Sequence, residues 1–180
     1  MAARVEVVTD PLGRRRLRIN RKKRTVGAMF LVNDGPQRIE RKIRAYFADE
    51  PSVGLVIAAV FFEWSVCRAV VGLGHRPSKE MRESIQSERP SGLKAYAKMW
   101  AREIQGATPL CDVVGPWDEL VAAFESRAVL VHGRNRYTRN MAAPHLEILL
   151  RSTANVWKHC AESGVDLAKT IRRYKARANP

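Results

Sequence analysis

"PSVGLVIAAVFFEWSVCRAVVGLG", Pro51 to Gly74, decides the fold. Its apolar residues surround the wheel on nearly all sides, so the segment predicts a helix in the middle of a bundle. Pro51 suits a first helical position, and Gly72 and Gly74 supply a stop. The purely apolar part, Val53 to Phe62, is too short to span a bilayer before Glu63 interrupts it. No secretory core opens the chain, which predicts a soluble, cytoplasmic protein without a membrane partner.

Working outward, "PQRIERKIRAYFA" from Pro36 spaces Ile39, Ile43 and Phe47 four apart, a short amphipathic helix. "HRPSKEMRESIQSERPSG" from His75 is polar and broken by Pro77 and Pro90, which predicts a loop with room for one short helix. "SGLKAYAKMWAREIQG" puts Leu93, Tyr96, Met99 and Trp100 on one face, with Ser91 as the expected cap. After Pro116, a helical stripe runs through Trp117, Leu120, Val121, Phe124, Ala128 and Val131. Another runs through Leu146, Leu149, Leu150, Thr153, Trp157 and Cys160 and stops at Gly164. A basic helix or tail closes the chain. The expectation over residues 35–180 is an all-α, up-and-down bundle of about five helices.

Residues 1–34 read differently. "RVEVVTDPLGRRRLRI" sets a Pro-Leu-Gly turn between two β-prone runs, a small hairpin. Within it begins "RRRLRINRKKR", where Arg14, Arg15, Arg16, Arg18, Arg21, Lys22, Lys23 and Arg24 fill eight of eleven positions. A fraying arm and an arm laid along phosphates both fit this run. The 180 residues carry 32 Lys and Arg against 18 Asp and Glu, a net charge of +14. That excess points to a polyanionic partner, nucleic acid first among them, with a merely solvated basic surface as the other reading. Cys67, Cys111 and Cys160 are too few and too scattered for a disulfide framework or a zinc site. No metal or cofactor is expected.

On a wheel centred near Phe124, Arg127 falls roughly 70° to one side and His132 roughly 70° to the other. Both edge the buried stripe, where a pKa can move. An unwinding at Gly133 or a two-fold dimer would be needed to bring them onto one phosphate. A structural arginine, and a histidine answering a helix C-terminus, are the bland reading of the same positions. Glu63, set in an apolar run, needs a partner, and Arg68 and Arg127 are the candidates.

The run Arg127-Ala128-Val129-Leu130-Val131-His132-Gly133 resembles the R-x4-H signature of HEPN domains, and the pattern continues through "RYT" to "ESGVDL". The resemblance implies an all-helical, commonly dimeric protein, often a metal-independent ribonuclease of toxin–antitoxin, antiviral or RNA-processing systems. It implies attack of a ribose 2′-hydroxyl on the adjacent phosphodiester, leaving a 2′,3′-cyclic phosphate. His132 would be the acid–base group and Arg127 the phosphate holder. Arg134, Arg136 and Arg139 would guide the RNA backbone and Tyr137 would stack on a base. Ala128 departs from the pattern, because active members typically carry a polar residue there. The partners implied are RNA, a second copy of the chain, and an antitoxin or other protein. The rival readings are a HEPN domain that binds without cutting and, more distantly, a DNA-binding protein.

Overall fold

The computed structural model describes residues 4–9, 15–20, 35–106, 108–131 and 138–168. The chain divides into two compact units, Met1–Val32 and Asn33–Pro180. The first holds an antiparallel hairpin of β1 (Arg4–Thr9) and β2 (Arg15–Asn20), in a register pairing Val7 with Leu17 and Glu6 with Arg18.

The second unit is all-α. Seven helices lie among its described residues: α1 (Pro36–Asp49), α2 (Pro51–Leu73), α3 (Ser78–Glu88), α4 (Leu93–Glu103), α5 (Leu110–Val114), α6 (Trp117–Val131) and α7 (Arg139–Glu162). The all-α bundle is as expected; α3 is the short helix for which the His75–Gly92 segment left room, and the five-residue α5 is additional. As expected, α2 is the central element. It touches α1, α3, α4, α6 and α7, and Leu55, Ala58, Ala59, Phe62, Val66, Ala69 and Val70 are fully enclosed. By length and composition, the full helix is apolar enough to cross a membrane, longer than the Val53–Phe62 stretch alone suggests. Here 56% of that apolar window is buried among other helices, and buried Ser65 accepts a 2.9 Å hydrogen bond from Trp157 Nε1 of α7.

The corner between α1 and α2 depends on one glycine. A Cβ on Gly54 would stand 2.5 Å from the Cα of Phe47, so the two helices approach only because that atom is missing. Ile39, Ile43 and Phe47 are buried at the predicted spacing. On the other face of α1, Arg44 forks onto Glu147 of α7 and reaches Glu40 at 2.9 Å.

Two predicted helix signals behave differently. Gly72 lies inside α2, and Gly74 is the cap. α4 is capped by Gly92, at φ 78°, rather than by Ser91; no side chain caps it. The glycine takes a backbone angle that a serine would resist, so the start falls one residue later. The stop at Gly164 is a Schellman motif: Val165 N–H donates to Cys160 C=O at 2.8 Å and Gly164 N–H to Ala161 C=O at 3.0 Å.

α3 is held chiefly by polar groups. Met81 is its buried residue. Glu103, 2% exposed at the end of α4, accepts from Arg76 at 2.6 and 3.0 Å and from Arg102 at 2.7 Å. Arg102 in turn forks onto Glu88 of α3 at 2.8 and 2.9 Å. Burial alone would raise the Glu103 carboxyl, but its two arginines outweigh that and hold it below the usual range.

Candidate functional site

α6 carries the arginine of the R-x4-H run. Its buried side chains are Leu120, Ala123 and Phe124. Arg127 sits four residues after Ala123 and three after Phe124, and is therefore on the line of that buried face rather than at its rim. Ala128, placed in the stripe by its periodicity, is exposed, while Trp117 and Val121 are half-buried. The buried line is thus rotated from the predicted stripe, and α6 packs on both α2 and α7.

On this line Arg127 meets Glu63 of α2, Nη1 to Oε1 at 3.9 Å. Their side chains keep 30% and 16% exposure, so the pair is half-enclosed but open at one end. The separation is that of an ion pair without a hydrogen bond. Arg127 Nε is buried with no hydrogen-bonding partner among the described residues. Of the two candidate partners for Glu63, Arg127 is thus the one the fold places beside it. Arg68 instead lies over the Trp64 ring, 4.6 Å from its centre.

Two further groups share this electrostatic neighbourhood. Burial raises the Glu63 carboxyl, and the Arg127 charge offsets only part of that. Burial, then the nearby Glu63 charge, pushes the Cys67 thiol of α2 up to about 11. Tyr96 of α4 is raised by burial, then by Glu63 and Cys67, against a smaller opposing effect of Arg127. Three helices therefore bring a guanidinium, a carboxyl, a thiol and a phenol within electrostatic reach of one another. Sequence periodicity treats Tyr96 as core and gives Cys67 no role, since each signal is a single residue without motif spacing.

His132, Gly133, Arg134, Arg136 and Tyr137 lie outside the described residues, as do Arg14, Arg21, Lys22, Lys23 and Arg24. Arg15, Arg16 and Arg18 stand in β2, opposite Thr9, Val8 and Glu6. Arg139, expected to guide RNA, begins α7 and donates to the carbonyl of Ala48 at the end of α1. That bond ties the start of α7 to the negative end of the α1 dipole. The other histidines are all engaged within the fold. His75 Nδ1 is 2.8 Å from the Glu103 carbonyl, His159 stacks at 5.8 Å from Trp100, and His145 Nε2 is 3.3 Å from Ser126 Oγ, beside Arg127 in the chain.

A half-buried guanidinium that keeps 30% of its side chain open can take an oxyanion at its open end. The fold defines the class of protein only this far, an all-α bundle with an arginine-centred polar site. No protein-family model, curated protein or solved structure matches the chain.

Proposed function

We propose that the chain is a HEPN-type endoribonuclease that works without a metal, of the kind found in toxin–antitoxin or antiviral systems. Arg127 would hold the scissile phosphate, with its fork stabilising charge on the equatorial oxygens. His132 would move the proton of the attacking 2′-hydroxyl or of the leaving oxygen, which suits a group titrating near neutral pH. A two-fold dimer would supply a second His132, so that base and acid come from different copies. Glu63 would act as a positioning residue, fixing Arg127 through charge rather than touching RNA.

The observation that carries this reading is the setting of Arg127: on the buried line of α6, 3.9 Å from Glu63, with 30% of its side chain still open to solvent. A phosphate oxygen is the kind of acceptor such a group takes. The R-x4-H-G run and the +14 charge support the same substrate. Binding without cutting is the second reading, favoured by Ala128, which is exposed and offers no polar group where active HEPN members carry one.

Incubation of the purified chain with mixed RNAs in EDTA, beside His132→Ala and Arg127→Ala, separates the two. Cleavage should yield 2′,3′-cyclic phosphate ends and fall by about two orders of magnitude in each variant. Cleavage that requires magnesium or persists without His132 refutes the mechanism. RNA binding with no cleavage by the wild type assigns the chain to the second reading.

A further inference from the structure

Next to Glu63 on the half-buried side of α2 is a group that the cleavage chemistry leaves unused. Trp64 and Arg68 stand one helical turn apart, with the Arg68 guanidinium 4.6 Å from the Trp64 ring centre. Trp157 of α7 lies against Trp64, centroids 6.4 Å apart and planes 31° apart, and Phe61 backs Trp64 at 6.1 Å. Both indoles are half-buried, so each presents some surface outward. The platform is fixed from within, because Trp157 Nε1 donates to Ser65 Oγ at 2.9 Å and Ser65 donates to the Phe61 carbonyl at 2.8 Å.

Positive charge gathers at its edge. Arg68 is half-buried, Arg82 of the adjoining α3 is exposed, and α2 and α3 are in contact. Burial, and then the Arg82 charge, both press the Arg68 pKa down, which places the two guanidiniums within electrostatic reach of each other. Two guanidiniums close to an aromatic pair suit an anion with a flat, stackable partner.

We propose that Trp64, Arg68, Arg82 and Trp157 form a nucleotide subsite for single-stranded RNA, with a base against the indoles and its phosphate on the two guanidiniums. This rests on the RNA reading above. Arg68 lies five residues beyond Glu63 on α2, about 7.5 Å along the axis. The two are also about 140° apart around the helix, so an RNA strand held at Arg127 would reach the subsite by bending around α2 over several nucleotides. An acidic peptide would answer the arginines but would leave the paired indoles without a role.

The test uses the full chain and a 2′-O-methyl oligouridine, which lacks the attacking hydroxyl and so reports binding alone. Anisotropy should give about tenfold weaker binding for Arg68→Gln and for Arg82→Ala, the order expected when a side chain that stacks on a base or holds a phosphate is removed. The salt slope should flatten by about 0.7 for each phosphate that is no longer neutralised. The oligomer should quench tryptophan fluorescence, with the quench reduced in Trp64→Phe, and an abasic oligomer should bind more weakly without quenching. Arg82 is exposed, so its variant tests the site even where a packed residue cannot be changed safely. Unchanged affinity in both arginine variants, with an unaltered quench, overturns the subsite while leaving RNA binding elsewhere intact. Polyglutamate matching the oligomer in quench and in Arg82 dependence overturns it in favour of an acidic protein partner. No oligomer binding by the wild type overturns both the subsite and the RNA reading.

Discussion

Replacing Arg127 by Met should expose the role of Glu63, because methionine keeps the apolar stem and removes the charge. At 3.9 Å the gross attraction is about 4 kcal/mol with an effective dielectric constant near 20. Both side chains are partly open to water, which screens the net worth of the pair to about 1 kcal/mol. Loss of Arg127 also leaves a half-buried carboxylate uncompensated, at a cost of about 1–3 kcal/mol. Arg127→Met should therefore destabilise the fold by about 2 kcal/mol at neutral pH, whereas Glu63→Gln, which removes a carboxylate whose ionisation burial disfavours, should cost little or nothing. The double variant should be milder than Arg127→Met, because it leaves no carboxylate uncompensated, a coupling of about 1 kcal/mol or more. The pH dependence gives an independent reading. Burial raises the Glu63 carboxyl above its ordinary 4.5, so just above that pH the folded chain keeps a proton that the unfolded chain has lost. Stability attributable to Glu63 then falls as pH climbs from 4.5 through its raised folded value. Removing Arg127 takes away the charge that pulls the carboxyl down, so the decline should extend to higher pH. Glu63→Gln should abolish it in either background. Urea unfolding followed by circular dichroism from pH 4 to pH 8 measures all four chains. Additive effects, with the same pH slope in all of them, would refute a working Glu63–Arg127 pair.

Gly54→Ala should be the most damaging small substitution: its Cβ would lie 2.5 Å from the Phe47 backbone, so a loss of about 3 kcal/mol is expected. A thermal melt within about 2 °C of the wild type would disprove that close approach. Deletion of residues 1–24 should weaken RNA binding and flatten its salt dependence, since fewer counterions are released; an unchanged slope in a filter-binding series would show that the arm does not touch RNA. Ala128→Asn should raise cleavage, because the added amide stands one turn before His132 in the chain. A rate at or below that of the wild type would show that the missing polar group does not limit the site.

The legible parts of the fold are those whose anchoring is apolar. Ile39, Ile43 and Phe47 repeat at helical spacing, and α2 is apolar around its whole circumference, so both declare their burial in the sequence. α3 does not. Apart from Met81, its attachment is a chain of charges from Arg76 through Glu103 and Arg102 to Glu88, and hydrophobic periodicity is blind to ion pairs that form between segments. The five-residue α5 is too short for any period to register. The same limits apply to the site. Glu63 announces itself because a carboxylate inside an apolar run must be compensated, but which arginine compensates it depends on how α6 is rotated against α2. That rotation shows in which α6 side chains are buried: Leu120, Ala123 and Phe124 are enclosed, while Trp117 and Val121 are half-buried and Ala128 is exposed. A wheel centred on the larger side chains misses it by part of a turn, and so puts Ala128 in the core and Arg127 at the rim. In the rotation the fold adopts, Arg127 and Glu63 form a half-enclosed pair, with a neutral thiol and phenol in the same neighbourhood.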